Sequence, residues 1–340
     1  MVVFGYDAPQ EQFPPDKLLD YAVLAERAGF EAIGTSDHFH PWAHTGAHCG
    51  FAWTWLAAAA ERTRSAKVGT MVTAPTLRYN PAVVAQAFAS LAWVYPGRVF
   101  FGAGVGEALN ETPVGVKWPG PRERIERLDE ALRVMRMLWS REFVSFRGKY
   151  YSLSKANLYT KPRAPIPIYV AAGGPQTAEL AGRRGDGMVV LPAALQKHGN
   201  VLFERFKEGA KAEGKDPKGT MATLLNASYD EDLDVALEGA RFWRVTAIPA
   251  HFNYDIYDPR EIEADSWAVG DDALRRARLV TTSADEHIRA IERLIKDGIE
   301  LFFIMNVSKH PEKLFKLYGE KVIPYFRGRP GRGKSRAGAP

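Results

Sequence analysis

The sequence predicts a single α/β domain, a (β/α)8 barrel with long insertions after the fourth and seventh strands. About eight short apolar segments alternate with helical patterns along the 340 residues, and such alternation indicates parallel strands joined by right-handed crossovers. The apolar segments are nearly continuous, as expected of strands covered on both faces. Eight units is also the number at which this kind of barrel closes.

Each predicted strand is an apolar run with strand character, and the eight runs span residues 2–6, 32–36, 67–74, 98–104, 166–172, 187–191, 221–228 and 301–307. Between them, residues 16–28 and 121–139 place apolar side chains at helical spacing. Asn80 and Pro81 are an N-cap and a first-turn proline that begin a helix reaching residue 94. Residues 283–286 read Ser-Ala-Asp-Glu, which predicts a capping box and a helix to about residue 296.

A Rossmann sheet is the rival fold, and the end of the first strand argues against it. That fold usually has a Gly-x-Gly-x-x-Gly turn there, whereas this chain has Tyr-Asp-Ala-Pro-Gln at residues 6–10. The connections after residues 106 and 229 are long and run to about residues 165 and 280. Long connections after barrel strands shape the mouth of an active site.

Composition is that of a globular protein, with 46% hydrophobic and 25% charged residues. No apolar run approaches the roughly 18 residues of a membrane helix, and the first residues predict a strand rather than a signal peptide. Cys49 is the single cysteine, which fits a reducing cytoplasm. The net charge of +5 equals the charge of residues 326–340. We therefore expect a barrel over 1–325, a basic disordered tail over 326–340, and no nucleic-acid or membrane partner.

The segment from Ser36 to Trp42 carries most of the chemical information. It reads Ser-Asp-His-Phe-His-Pro-Trp and follows a predicted strand, so it lies at the mouth of the barrel. His38 is a candidate general base, because a neutral imidazole can take a proton from an alcohol. His40, His44 and His48 follow at spacings of four. Pro41 and Gly46 interrupt the helix that such a metal site would need, so we expect no metal.

Three other strand ends carry candidate site residues. Glu107 follows the glycine-rich segment 102–106, where a carboxyl group could exchange a proton with a ligand or complement a helix dipole. Residues 71–75 could form an apolar floor beneath a flat ring or simply line the barrel. Residues 171–177 are a glycine-rich turn that enters a helix, a weak signal for phosphate binding.

These residues together resemble the coenzyme F420-dependent branch of the bacterial luciferase-like superfamily. The motifs are Asp37-His38-Phe39-His40-Pro41-Trp42, Arg78-Tyr79-Asn80-Pro81-Ala82, Tyr95-Pro96-Gly97-Arg98-Val99, Gly106-Glu107-Ala108-Leu109-Asn110-Glu111 and Ala172-Gly173-Gly174-Pro175. The match covers nearly the whole chain except the tail. It implies a TIM barrel, a homodimer, and a deazaflavin lying in the mouth. It also implies a non-prolyl cis peptide between Met71 and Val72.

From this resemblance we expect hydride transfer from an alcohol to coenzyme F420. His38 would remove the hydroxyl proton, and Glu107 would donate a proton or balance charge at the N1 side of the ring. Trp42 would pack against the reacting groups, and Glu11 would be a second acid near the substrate. The expected cofactor-binding residues are Asp37, Met71, Val72, Ala74, Val105, Gly106, Asn110, Ala172, Gly173 and Gly174.

The substrate is expected to be a neutral secondary alcohol. By resemblance, sugar-phosphate dehydrogenases of this group grip their substrate with a Thr and two Lys where this chain has Leu191, Ala194 and Asn253. Arg278 falls at or beside a third cationic position, and a phosphate dianion needs several such cations. The alternatives are an F420-dependent glucose-6-phosphate or sugar dehydrogenase, a methylenetetrahydromethanopterin reductase, an FMN monooxygenase, and a non-enzymatic binding module.

Overall fold

Strands β1 to β11 lie within residues 2–328, the part of the chain that the computed structural model describes. They are β1 Val3–Ala8, β2 Ala32–Thr35, β3 Lys67–Thr70, β4 Val99–Ala103, β5 Val144–Arg147, β6 Ser152–Ala156, β7 Ile168–Ala171, β8 Gly187–Val189, β9 Thr220–Tyr229, β10 Leu279–Thr281 and β11 Leu301–Asn306.

Helices α1 to α15 connect or follow these strands. They are α1 Pro15–Ala28, α2 Ala52–Arg62, α3 Pro81–Val94, α4 Ala108–Glu111, α5 Pro121–Ser140, α6 Pro175–Arg184, α7 Pro192–His198, α8 Val201–Ala212, α9 Leu233–Arg241, α10 Ala250–Asn253, α11 Pro259–Ser266, α12 Asp271–Ala277, α13 Ala284–Lys296, α14 Pro311–Leu317 and α15 Ile323–Arg327. Thr112–Val114 and Phe242–Ala247 form short 3-10 helices, and Tyr318–Val322 forms a π-helical turn.

Eight of the strands close into the predicted parallel barrel. Their order is β11, β1, β2, β3, β4, β7, β8 and β9, and β9 pairs with β11 to complete the ring. These eight are the strands that the sequence predicted, so the prediction of a (β/α)8 TIM barrel is confirmed. Their shared direction brings the carboxyl ends of all eight to one mouth.

Side chains that point into the barrel form a packed interior beneath this mouth. Its buried members are Ala32, Met71, Phe100, Tyr169, Val189, Ala222, Leu301 and Phe303. Only glycine fits at positions 69 and 102 in this packing. A Cβ at Gly69 would lie 2.5 Å from the Phe100 ring, and one at Gly102 would lie 2.0 Å from the Thr70 carbonyl oxygen. The larger core lies between the outer faces of the strands and the helices. A filled interior leaves the mouth as the place where a ligand can bind.

The two insertions contain structure that the apolar patterns did not reveal. The first, after β4, includes helix α5 and an antiparallel hairpin of β5 and β6. Its strands are largely exposed, so they lack the apolar run used to find the others. The second, between β9 and β10, holds helices α9 to α12. It leads into β10, a three-residue strand that pairs in parallel with the carboxyl end of β9. Both insertions stand where the sequence predicted them.

The predicted helix starts at Asn80 and Ser283 were both correct, but only Asn80 makes a side-chain capping hydrogen bond. Asn80 accepts a hydrogen bond from the Ala82 backbone N–H, and Pro81 is the first residue of α3. Ser283 precedes α13, but its side chain makes no capping hydrogen bond. The predicted capping box is therefore wrong, although the helix itself begins and ends as expected.

The chain end only partly overlaps the predicted tail. Helix α15 continues through Arg327, whose guanidinium donates to the Gly29 carbonyl at 3.0 Å. Residues 329–340, which hold most of that tail, lie outside the described residues. Within residues 2–328, no helix combines the length and apolar character needed to cross a membrane.

Candidate active site

His38 occupies the centre of the mouth, three residues beyond the end of β2. Its Nε2 lies 3.6 Å from Glu11 Oε1 and 3.6 Å from Glu107 Oε2, and its side chain is 11% exposed. Its Nδ1 is enclosed and has no hydrogen-bond partner among residues 2–328. Burial, with a smaller effect of the Arg78 charge, lowers the pKa of His38 to about 3. The imidazole is therefore neutral at neutral pH and able to accept a proton.

Glu11 lies in the turn after β1 and is fixed from two sides. Its Oε1 accepts a hydrogen bond from Ser36 Oγ at 2.9 Å, and its backbone carbonyl accepts one from the His48 N–H. The Oε2 atom is enclosed without a partner among the described residues. Burial raises the pKa of Glu11 to about 7. This carboxyl group can therefore change its protonation state near neutral pH.

Glu107 stands immediately before the short helix α4. It makes no side-chain capping hydrogen bond there. The helix-dipole role considered for it stays a prediction, because a charge–dipole interaction needs no such bond. Burial, and next the nearby Glu11 charge, raise its pKa to about 8. Asn110 links Glu107 to the His38 segment, because its Nδ2 lies 3.4 Å from Glu107 Oε2 and its Oδ1 accepts the Phe39 N–H at 2.8 Å.

Trp42 forms one wall of the mouth. Its ring centre is 5.9 Å from that of His38 and 4.5 Å from that of Phe252, which belongs to α10 of the second insertion. Trp42 is only 3% exposed and packs in a separate apolar cluster formed mainly by that insertion. The insertion therefore holds the indole in place beside the His38 imidazole.

Beneath the His38 segment lies a buried ionic network that was not predicted as part of the site. Arg78 pairs with Glu111 at 2.6 Å and with Asp37 at 3.2 Å. Asp37 also accepts hydrogen bonds from Thr73 Oγ1 at 2.8 Å and Tyr79 OH at 3.1 Å. These bonds engage both carboxylate oxygens of Asp37, which was predicted to contact the cofactor. Arg78 stood in a recognised motif, but its partners are distant in sequence.

An apolar shelf lies between the ends of β3 and β4. The peptide between Met71 and Val72 is cis, as the family resemblance implied. Gly104 lets the shelf pack closely, because a Cβ there would lie 2.6 Å from Val72 Cγ2. Gly106 has φ +84° and comes close to Ala74, which is 5% exposed. Val105 lies between these glycines in sequence. Ala74 and Gly106, two of the predicted ring-binding residues, are therefore neighbours, and binding of a ring by this region stays a prediction.

The turn before α6 provides open space at a helix start. A Cβ at Gly173 or Gly174 would meet no atom within 4 Å, whereas neighbouring Ala172 is buried. Gly174 precedes a ten-residue helix that starts with Pro175, and the Gly174 N–H donates to Thr177 Oγ1 at 3.3 Å. The remaining backbone N–H groups of such a helix start favour an anion. The three residues therefore suit the predicted phosphate contact, and the contact itself stays a prediction.

The positions expected for a sugar-phosphate clamp carry little positive charge. Leu191 is 49% exposed at the start of α7, Ala194 is half-buried in it, and exposed Asn253 donates to the Pro249 carbonyl. Arg278 is buried and donates to the Trp243 carbonyl at 2.7 Å and to Thr246 Oγ1. It forms no ion pair within residues 2–328, and burial lowers its pKa to about 10.

The other histidines of the His38 segment do not assemble a metal site. His40 Nδ1 lies 3.2 Å from the Tyr257 carbonyl, and the backbone N–H of His44 donates to Glu263. Across residues 2–328, the structure contains no group of three or more His, Cys, Asp or Glu side chains arranged to hold a metal ion.

Comparisons with known proteins agree with this geometry. The model of the luciferase-like monooxygenase family matches residues 2–301. The chain is 42% identical to an F420-dependent glucose-6-phosphate dehydrogenase of Segniliparus rotundus, over 96% of this chain and 98% of the relative. It is 39% identical to one of Mycolicibacterium smegmatis, over 95% and 97%.

A solved structure of an F420-dependent secondary alcohol dehydrogenase, in complex with an F420-acetone adduct, is similar throughout. It superposes with a TM-score of 0.90 and 41% identity, over 94% of this chain and 97% of the other. The matches therefore extend across the barrel and both insertions.

Proposed function

This chain belongs to the luciferase-like monooxygenase family, and we propose that it oxidises the CH–OH group of a neutral alcohol with coenzyme F420. The sequence relatives and the structural neighbour quoted above are F420-dependent dehydrogenases that act on such groups. The single observation that carries the proposal is the neutral, buried His38 imidazole placed 3.6 Å from two carboxyl groups at the mouth. This arrangement suits removal of a hydroxyl proton.

The residues at the mouth fit a flat cofactor that carries a phosphate. The shelf of Met71, Val72 and Ala74, with Val105 and Gly106, offers an apolar surface, and the open turn at Gly173 offers helix N–H groups. When bound, the cofactor supplies a deazaflavin carbon, C5, that accepts the hydride. Asp37 contributes to cofactor binding indirectly, because its carboxylate oxygens already bind Arg78, Tyr79 and Thr73.

The protein's own part in the reaction is proton handling and orientation. His38 takes the hydroxyl proton at Nε2, the nitrogen that faces both carboxyl groups. Ionised Glu11 or Glu107 stabilises the imidazolium that forms, since each lies 3.6 Å away. Trp42, held by Phe252, covers the reacting groups and excludes water. Raised pKa values at Glu11 and Glu107 allow either group to hold the proton afterwards.

The identity of the substrate is the more specific part of the proposal. The names of the curated relatives favour glucose 6-phosphate more directly than the neutral alcohol that the sequence favoured. The geometry supports a neutral substrate, because Leu191, Ala194 and Asn253 offer no cation. Glu11 and Glu107 carry no positive charge in either protonation state, so a phosphate dianion there would be poorly compensated.

Glucose 6-phosphate remains the second candidate for a specific reason. Arg278 is 8% exposed and has no acidic partner within residues 2–328. Buried charges are normally paired, so an anionic substrate group would complete its environment. A single guanidinium, partly engaged by Trp243 and Thr246, is still a weak clamp for a dianion.

The deciding experiment compares F420 reduction with isopropanol, glucose and glucose 6-phosphate. We expect activity with the neutral compounds and little with the phosphate ester. The variant Ala194→Lys should raise kcat/KM for glucose 6-phosphate and leave that for isopropanol unchanged, because it adds a cation where the sugar-phosphate enzymes have one. Activity confined to the phosphate ester in the wild-type protein would establish the second candidate.

We further propose that the protein is a homodimer through α3. Val83 and Val94 are 54% and 62% exposed on this helix. They are eleven residues apart, which places them on one helical face. Trp93 lies beside them and is 41% exposed. Exposed apolar surface of this kind is typical of a subunit interface.

A further inference from the structure

The barrel interior beneath His38 contains one carboxyl group without a hydrogen-bond partner. Asp7 lies near the end of β1 and is 1% exposed. Tyr6 packs outward against Phe315, with ring centres 5.1 Å apart, so Asp7 points into the barrel. Its Oδ1 is enclosed, and within residues 2–328 the carboxyl group makes neither a hydrogen bond nor an ion pair. The activity proposed above gives this side chain no role.

The surroundings of Asp7 are mostly apolar. A Cβ at Gly34 would lie 2.8 Å from Asp7 Oδ1 and 2.6 Å from Met71 Cγ, so glycine leaves room for both side chains. Phe303 borders the same spot, 3.2 Å from that Cβ position. A polar group buried without a partner lowers stability. Burial, and next the Glu11 charge, raise the pKa of Asp7 well above its ordinary value, and a neutral carboxyl group can both donate and accept hydrogen bonds.

Asn226 lies at the same level of the barrel. Met305 of β11 pairs with Asp7 on one side and with Asn226 of β9 on the other. Ala222 and Leu224 face the interior, so Asn226, two residues further along, faces it as well. Asn226 is half-buried although its strand is central, and its amide makes no hydrogen bond to residues 2–328. It therefore borders the open mouth.

We propose that Asp7 and Asn226 form a hydroxyl-binding floor, and that the substrate is a neutral polyhydroxylic compound, a sugar or polyol. This inference rests on the proposed function and narrows its substrate class. A second hydroxyl group on the substrate would supply the partner that Asp7 lacks, while His38 acts on the first. A simple alcohol has no such group, and a phosphate would find no cation in Asp7 or Asn226.

The test is the ratio of kcat/KM for glucose to that for isopropanol, in wild type, Asp7→Leu, Asn226→Leu and Asp7→Asn. Each Leu variant should lower the ratio about 10-fold, the usual effect of losing one hydrogen bond to substrate. The ratio for Asp7→Asn should lie between those of wild type and Asp7→Leu, because an amide can still form a hydrogen bond with a hydroxyl group. In the free protein, Asp7→Leu should also raise Tm, because an unpartnered polar group becomes apolar. A purely structural Asp7 would instead lower Tm when replaced.

Asp230→Asn is the matched control, since Asp230 is buried but paired with Lys313 at 2.9 Å. It should lower Tm and leave the ratio unchanged. Unchanged ratios in both Leu variants, or a wild-type enzyme that oxidises isopropanol and not glucose, would overturn the floor. If the wild-type protein reduces F420 with neither compound, the proposed function fails. Binding of glucose, measured by its effect on Tm, then tests the floor separately. A Tm increase by glucose in wild type that is lost in Asp7→Leu supports the floor, and an equal increase in both contradicts it.

Discussion

The proton chemistry of the site depends on the burial of individual side chains. His38 and Glu11 are 11% and 1% exposed at the side chain, and each is shifted toward its neutral form. Burial disfavours charge, so the imidazole stays free to accept a proton while the carboxyl groups titrate near neutrality. The residue types were evident from the sequence. Their separation and burial were not, because Glu11, His38 and Glu107 come from three different strand ends.

Replacing His38 should remove the proposed base and change little else. We expect His38→Ala to lower kcat by about 10²–10⁴, with F420 affinity largely kept, because the shelf and the Gly173 turn do not depend on the imidazole. The measurements are steady-state F420 reduction and cofactor titration by fluorescence. His44→Ala is the control, since His44 is exposed in the loop that follows the same segment. Equal turnover in His38→Ala and wild type would refute the assignment of the base.

Glu11 should make the free protein less stable as pH rises. Its folded pKa of about 7 lies above the ordinary 4.5, so the folded state holds more protons than the unfolded state between these values. Stability from this group is therefore full below about pH 4.5 and falls as pH rises through about 7. The variant Glu11→Gln cannot titrate, so its Tm relative to wild type should increase from about pH 5 to about pH 8.

Thermal unfolding without cofactor or substrate measures this difference. The exposed Glu142→Gln variant is the control for removing a carboxyl group from the surface. A constant offset for Glu11→Gln would mean that Glu11 titrates alike in the folded and unfolded chain.

At the scale of elements, the ionic network of Arg78 fixes the loops that carry the site. It joins the segment after β2, through Asp37, to α4, through Glu111, and all three side chains are at most 7% exposed. We expect Arg78→Met to lower the free energy of unfolding by about 3–5 kcal/mol, because two buried carboxylates lose their cation. Urea unfolding measures this change.

Arg122→Ala is the matched control for the Arg78 variant. Arg122 also pairs with a glutamate, Glu126 at 2.8 Å, but its side chain is 93% exposed. Its loss should change the free energy of unfolding by no more than about 1 kcal/mol. Similar losses in the two variants would argue that the Arg78 network contributes no more than a surface pair.

The elements that sequence patterns found and missed differ in burial. All eight barrel strands were predicted, because both faces are covered and the residues are continuously apolar. The hairpin of β5 and β6 and the short β10 were missed. The hairpin strands are mostly exposed, and β10 has three residues, so neither presents the pattern of a buried strand.

At the scale of the molecule, the exposed apolar face of α3 predicts association. The variants Val83→Glu and Val94→Glu should shift the protein from dimer to monomer, because each would bury an unpaired charge in the interface. Sedimentation velocity at micromolar concentration measures the shift. Val201→Glu is the control, since Val201 is 50% exposed on α8, away from α3. A monomeric wild type, or dimers in both α3 variants, would contradict this interface.

The sequence by itself determined the barrel, its two insertions, the positions of His38, Trp42, Glu11 and Glu107 at the mouth, and the family. The barrel, the insertions and the placement of His38, Trp42 and Glu107 follow from local signals, namely apolar runs, turns and strand ends, which need no knowledge of distant contacts. Glu11 and the family came from the resemblance of the sequence motifs. Only the tertiary structure revealed the ionic network of Arg78, the engagement of Asp37 within it, and the unpartnered carboxyl group of Asp7.

The physical reason lies in how burial arises. The environment of Asp7 is built by Gly34 of β2, by Met71 just after β3, and by Phe303 and Met305 of β11. No local pattern records whether a carboxyl group will meet a partner when such strands come together. The charge state of a side chain, its ion pairing and the choice of substrate therefore depend on long-range packing. The type of fold and the type of chemistry can be predicted from local sequence patterns.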